Sequence, residues 1–194
     1  MTPARCSLGA LVILTLCALY PLGARAEEAA PNPRVVIDTS KGAITVELYQ
    51  KQAPASVANF LKHVDAGFYS GLVFHRVMPD FVIQTGGYDA AMHERAPLGG
   101  APNESRNRLK NVRGAVAMAR LDDPNSATSQ FFIDLKDNES LDALGARPGY
   151  TVFGRVVSGM AVVDAIASVP TGTRDGLDDV PLTPVVVKSI KRAP

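Results

Sequence analysis

The sequence predicts a mainly β fold: a closed eight-stranded antiparallel barrel carrying two α-helices. Three observations lead there. Short β-rich runs recur along the chain with turn residues between them. Only two stretches carry helical periodicity, and strands and helices do not alternate regularly, which disfavours a parallel sheet. The 194 residues, 46% hydrophobic and 20% charged, suit one domain with an ordinary core and exclude a disordered chain.

The first 26 residues stand apart. Arg5 gives a positive start, Leu8 to Leu19 is an apolar run, and Ala24-Arg25-Ala26 fits a small-x-small cleavage site. That is the three-part pattern of a secretory signal peptide, with an apolar run short of the roughly 20 residues of a membrane span. Residues 27–34 are expected to be a flexible leader and 35–194 the folded domain. Cleavage after Ala26 removes Cys6 and Cys17, the only two cysteines. The mature chain then has no disulfide, cysteine nucleophile or thiolate metal ligand. Loss of Arg5 and Arg25 leaves 18 basic against 19 acidic residues, moving the formal charge from +1 to −1. Neither value makes an electrostatic case for nucleic acid, and no long Lys/Arg run supplies a local one. A periplasmic or secreted monomer, not stably inserted in a membrane after cleavage, is expected.

The elements follow in order. Val35–Thr39 and Ala43–Leu48, separated by Ser40-Lys41-Gly42, read as a hairpin in which Ile44, Val46 and Leu48 share the buried face. Ala53–Ala66 reads as a helix: Pro54 suits its first turn, and Val57, Phe60, Leu61 and Val64 fall on one stripe. Asp89–Arg113 is a long polar loop, of a length that is often functional. Gly114–Ala119, Ser129–Asp134 and Tyr150–Val157 read as strands. Gly159–Ser168 reads as a second helix with Ser158 as its N-cap and Val162, Val163 and Ile166 buried. Asp175–Pro184 reads as a polar loop, and Val185–Ile190 as the last strand.

The chemistry is expected in Val73–Gly87. This stretch reads as two short strands around a Met78-Pro79-Asp80 turn. Alternation places Phe81 and Ile83 on one face of the second strand, and Val82 and Gln84 on the other. An arginine (Arg76), an amide and large apolar groups thus come together, which suits a small polar group held over an apolar floor. Phe74 and Phe131 read as barrel core.

Other chemistries fit less well. His63, His75 and His93 lack metal-pair spacing, and Asp122-Asp123-Asn125 lacks the rest of a calcium loop. There is no Gly-x-Ser-x-Gly elbow, and Gln84-Thr85-Gly86-Gly87 lacks the ending of a phosphate loop. Asn103-Glu104-Ser105 and Asn138-Glu139-Ser140 match the glycosylation pattern, which arises easily by chance.

Three separated motifs in order carry a resemblance. They are Phe74-His75-Arg76 with Phe81-Val82-Ile83-Gln84-Thr85-Gly86-Gly87, then Ala117-Met118-Ala119-Arg120, then Ser129-Gln130-Phe131-Phe132-Ile133. Val152-Phe153-Gly154-Arg155-Val156 follows. The chain from about Val35 onward resembles the cyclophilin-type peptidyl-prolyl cis-trans isomerases, and with the signal peptide it is similar to their secreted bacterial branch. The resemblance implies an eight-stranded barrel capped by two helices, no cofactor, and proline-containing polypeptides as substrates. It implies that Arg76 is the catalytic arginine, with Phe81 and Gln84 beside it and Gln84 supporting it. It places Phe81, Val82, Phe132 and Leu141 around the proline ring. Ala119 and Arg120 would offer backbone groups to the peptide, Gln130 would lie beside it, and Tyr150 would replace a pocket histidine. Val82 stands where methionine is common and Ser140 where tryptophan is usual, which leaves cyclosporin sensitivity open. The non-enzymatic alternative is a proline-peptide binding or chaperone module using the same groove. A barrel enclosing a small apolar ligand would need an open interior, against the many large side chains expected inside.

Overall fold

A computed structural model describes residues 32–193. The expected signal peptide and the first part of the leader lie outside the described residues. The last leader positions already belong to the fold. Arg34 opens β1 (Arg34–Thr39), Leu48 N–H donates to the Pro33 carbonyl at 2.8 Å, and Asn32 Nδ2 donates to Glu47 Oε1 at 3.1 Å.

β1 pairs antiparallel with β2 (Gly42–Leu48), Ile37 facing Ile44. Apolar residues at alternate positions (Val35, Ile37, Ile44, Val46 and Leu48) are all buried to 1% exposure or less. The turn is closed by its own side chain, Thr39 Oγ1 donating to the Gly42 carbonyl and accepting from Lys41 N–H.

The remaining sheet strands are β3 (Arg76–Met78), β4 (Val82–Thr85), β5 (Ala115–Met118), β6 (Phe131–Asp134), β7 (Val152–Ser158) and β10 (Val187–Arg192). They join β1 and β2 in one eight-stranded antiparallel sheet of order β10-β1-β2-β7-β5-β6-β4-β3. Closure does not follow the expectation. No ladder joins the edge strands β3 and β10, and the sheet curls but stays open. A short crossing spans the gap: Phe74 N–H bonds the Val185 carbonyl, and Val187 N–H bonds Leu72. The physical reason is that residues 73–75, expected as strand, make only the isolated Val73–Val186 bridge, so β3 shrinks to three residues.

Three further expectations change. The polar stretch read as a loop at 175–184 holds the turn and second strand of a hairpin, β8 (Thr171–Arg174) with β9 (Leu177–Pro181), which forms its own two-stranded sheet. Asp175 and Gly176 turn it with positive φ, and Val180 anchors it against Val73 and Met92. The second helix, α2 (Met160–Ala167), is entered through Gly159 at φ 91°, while Ser158 ends β7 and caps nothing. An added Cβ at Gly159 would lie 2.5 Å from the Ala43 carbonyl oxygen, so close packing reinforces the glycine there. Val163 and Ile166 are buried as expected, but Val162 is only half-buried.

The first helix, α1 (Pro54–Asp65), buries Val57, Phe60, Leu61 and Val64. Phe60 packs edge-on to Phe131 at 5.4 Å and lies 5.2 Å from Phe153. Phe74 and Phe131 are fully buried in this core. The N-cap residue Ala53 has no side chain to bond the free N–H groups. Glu104, from the long loop, replaces it: its carboxylate accepts from Ala55 N–H (3.1 Å), Ser56 N–H (2.8 Å) and Ser56 Oγ (2.7 Å). A carboxylate at a helix N-terminus also opposes the positive end of the helix dipole. His63 on α1 is likewise structural. Its Nδ1 bonds the Asn59 carbonyl and its Nε2 accepts from Leu98 N–H, and burial lowers its pKa.

Candidate active site

The strand registers bring the site together. Arg76 on β3 faces Gln84 on β4, Gln84 faces Phe132 on β6, Phe132 faces Ala117 on β5, and Ala117 faces Val152 on β7. One row thus crosses five strands from an arginine through an amide to an apolar floor. Val82, Ala115, Ala117, Phe132 and Val152 form that floor as a cluster separate from the main core. The β5 residues in this cluster, Ala115 and Ala117, are small, and Ala117 pairs directly with Phe132.

A cavity of about 120 Å³ opens on this row, lined by Arg76, Phe81, Val82, Gln84, Ala119, Arg120, Phe132, Leu141 and Tyr150. Nine of the ten residues singled out in the sequence therefore meet in one place. Gln130, the tenth, is just outside the lining and is tied to it, accepting from Gln84 Nε2 at 2.9 Å. Gln84 thus bonds Gln130, and Arg76 makes no hydrogen bond to it among the described residues. Phe81 reaches the same side as Val82, which strand alternation forbids. It can do so because it lies in the turn before β4, after Asp80 at φ 59°, where alternation does not apply.

The far wall is aromatic and cationic. Tyr150 stands edge-on to Phe132 with centroids 5.6 Å apart, and the Arg120 guanidinium lies 4.6 Å from the Tyr150 ring centre. Arg120 is also held by the Leu121 and Pro148 carbonyls. Leu141 ends a short 3-10 turn (Glu139–Leu141), and its carbonyl accepts from Tyr150 N–H.

Asn138 is a supporting residue that sequence reasoning missed. Its Nδ2 donates to the Phe81 carbonyl at 3.1 Å and to Asp134 Oδ1 at 2.7 Å, so it fixes the turn that carries Phe81. The only signal at Asn138 was the glycosylation pattern. Asp134 itself is fully buried. Burial raises its pKa to about 7, against the opposing bond from Asn138. His75, next to Arg76, is driven the other way. Burial lowers its pKa to about 4, outweighing the Val73 carbonyl and the Gln130 amide that favour its charged form. At neutral pH it is an uncharged packing group against Tyr88, ring centres 4.8 Å apart. Arg76 is therefore the cation at the pocket's mouth next to an apolar floor, and no group of three or more His, Cys, Asp or Glu suited to a metal occurs among the described residues.

A pocket sized for a small ring, with the Arg76 guanidinium at its rim and the Arg120 guanidinium against its far wall, suits a binding or isomerising site. The family model for cyclophilin-type peptidyl-prolyl cis-trans isomerases matches residues 34–192, and the chain belongs to that family. It is 47% identical over 163 residues to a peptidyl-prolyl cis-trans isomerase of Acinetobacter baylyi, covering 84% of this chain and 87% of that one. It is 49% identical over 160 residues to isomerase cyp18 of Streptomyces antibioticus, covering 81% and 96%. Among solved structures, a Cryptosporidium parvum cyclophilin-type isomerase superposes with a TM-score of 0.69 at 25% identity, covering 84% of this chain and 98% of that one.

Proposed function

We propose that this chain accelerates rotation about X–Pro bonds in exported polypeptides, with Arg76 as the catalytic residue. The observation that carries the reading is the single row from Arg76 through Gln84 to Phe132, which opens on a cavity of about 120 Å³ with apolar side chains at its floor. Resonance holds the X–Pro bond near planar behind a barrier of about 18–20 kcal/mol. No bond breaks, so neither a nucleophile nor a metal is required. As the bond twists, the proline nitrogen becomes pyramidal and gains a lone pair. A guanidinium aimed at that nitrogen binds the twisted state better than either planar state, and this difference is what lowers the barrier. Arginine keeps its charge at any working pH.

The remaining lining residues divide the labour. Phe81, Val82, Phe132 and Leu141 hold the ring still while the preceding carbonyl rotates. Gln84, steadied by Gln130, supports Arg76 and the substrate carbonyl. Ala119 and Arg120 present backbone groups to the extended peptide, and Tyr150 walls the ring's outer edge. The positive start, apolar run and Ala-x-Ala site at residues 1–26 support export to the periplasm or beyond, which sets the substrate class as proteins folding after translocation.

The test is a protease-coupled isomerisation assay on an X–Pro tetrapeptide, comparing the chain from Glu27 with its Arg76→Ala variant, both checked for folding. The expected result is rapid turnover and a loss of at least tenfold in the variant. Equal turnover would remove Arg76 from the centre. Peptide binding without turnover in either would replace the enzyme with a proline-binding module.

A further inference from the structure

The β8–β9 hairpin lies beside β3 and delivers a carboxylate to the candidate catalytic arginine. Asp179 Oδ2 is 3.9 Å from Arg76 Nε, and it is the one carboxylate within 4 Å of Arg76 among the described residues. The local backbone is arranged to place it there. The hairpin's register slips between the Gly172–Val180 and Arg174–Leu177 pairs. Asp178 and Asp179 together thus oppose Thr173, the arrangement of a β-bulge. Bulges re-aim a side chain and are frequent beside active sites. Asp179 takes φ 61° within it, a left-handed conformation that costs a non-glycine residue energy. On one side Asp178 is held by Thr173 Oγ1 at 2.8 Å. On the other Val180 is buried against Val73 and Met92. The aim of Asp179 is fixed from both sides.

We propose that Asp179 is a positioning residue for Arg76, and this rests on the isomerase reading above. Its Oδ2 lies nearest Nε, at ion-pair rather than hydrogen-bond distance, and the two terminal nitrogens, with all four of their N–H donors, are unbonded by any described acceptor. Those donors are the ones available to the substrate. A carboxylate on the Nε edge restricts the rotation of the guanidinium before substrate arrives, so less ordering remains to be done in the twisted state. Arg76 and Asp179 are each more than a third exposed, so the pair is screened by solvent and its effect is modest.

The test is a double-mutant cycle. Asn tolerates the left-handed region as well as Asp, so Asp179→Asn removes the charge and leaves the bulge. We expect Asp179→Asn to lower kcat/KM about two- to fivefold, carried by kcat with KM unchanged. In an Arg76→Lys background the same change should have no effect, because lysine has no planar Nε edge for the carboxylate to orient. The Arg76 Nε–H resonance should shift in Asp179→Asn while the hairpin amides stay in place. An equal loss in both backgrounds, or no loss in the wild-type background, overturns the proposal. Failure of the isomerase reading would show separately, as a wild-type chain that binds the X–Pro peptide without turning it over.

Discussion

Gln84 Nε2 donates to Gln130 Oε1 at 2.9 Å, so the amide lying between Arg76 and Phe132 is oriented by a residue outside the cavity. Gly87 keeps this arrangement possible. A Cβ there would lie 2.5 Å from Gln130 Nε2 and 2.7 Å from its Cδ, displacing the acceptor. Gly87→Ala and Gln130→Ala should therefore have the same effect through different atoms. One neutral hydrogen bond is worth about 0.5–1.5 kcal/mol, so each should lower kcat/KM by about two- to tenfold. The double variant should be no worse than the weaker single one, as expected for changes to one interaction. Additive losses in the tetrapeptide assay would separate the two residues.

Glu104 shows how a long polar loop can be structural. The three bonds it accepts at the start of α1 are charge-assisted and stand in for a missing N-cap. Glu104→Ala should cost about 2 kcal/mol and lower Tm by about 4–8 °C for a chain of this size. Activity per folded molecule should stay unchanged. Thermal melts beside active-site titration check both halves, and an unaltered Tm would remove the capping role.

Much of this architecture was legible in the sequence, because period-2 and period-3.6 patterns report directly on burial. Ile44, Val46 and Leu48 on β2, and Val57, Phe60, Leu61 and Val64 on α1, all point inward as their spacing predicts. The lining of the site was legible for another reason: ordered motifs such as Phe81–Gly87 tie residues together that periodicity alone cannot. Periodicity failed where the backbone leaves its regular state. Phe81 shares a side with Val82 because it belongs to a turn. The β8–β9 hairpin carries Thr, Arg, Asp and Gly with one buried Val180, so no apolar alternation marked it. Glu104 and Asn138 act through a few polar bonds, mostly to backbone far away in the chain, for which a sequence carries no period at all.

The pH dependence of stability should reflect two buried groups of opposite sign. His75 has a pKa of about 4 in the fold against its ordinary 6.5. Between those values the unfolded chain binds the extra proton, so this group's stabilisation is full above pH 6.5 and is lost as pH falls to 4. Asp134 has a pKa of about 7 against its ordinary 3.8. There the folded chain holds the extra proton, so its contribution is full below pH 3.8 and is lost as pH rises to 7. Each change amounts to about 3–4 kcal/mol over its window, so the two largely cancel from pH 4 to 6.5. Asp134→Asn removes one side of the balance. Its stability relative to wild type should rise by about 2 kcal/mol between pH 5 and 7, measured by urea unfolding. Parallel curves for the two proteins would contradict the buried, protonated carboxyl.

Tyr150 supports the pocket with its ring and not with its hydroxyl. The ring stands edge-on to Phe132 at 5.6 Å and carries the Arg120 guanidinium at 4.6 Å, while its hydroxyl makes no hydrogen bond among the described residues. An aromatic pair contributes about 0.5–1.5 kcal/mol and a part-exposed cation–π contact about 0.5–1 kcal/mol. Tyr150→Phe keeps both and should leave kcat/KM within about twofold of wild type. Tyr150→Leu loses both, freeing Phe132 to tilt into the cavity and Arg120 to leave the wall. If even half of that energy is expressed in holding the proline ring, kcat/KM falls by about two- to tenfold. The loss should appear first in KM, since a wall against the proposed proline ring would act on the planar and twisted states alike. A Tyr150→Phe variant as impaired as Tyr150→Leu would instead assign the work to the hydroxyl, and with it a direct bond to the peptide.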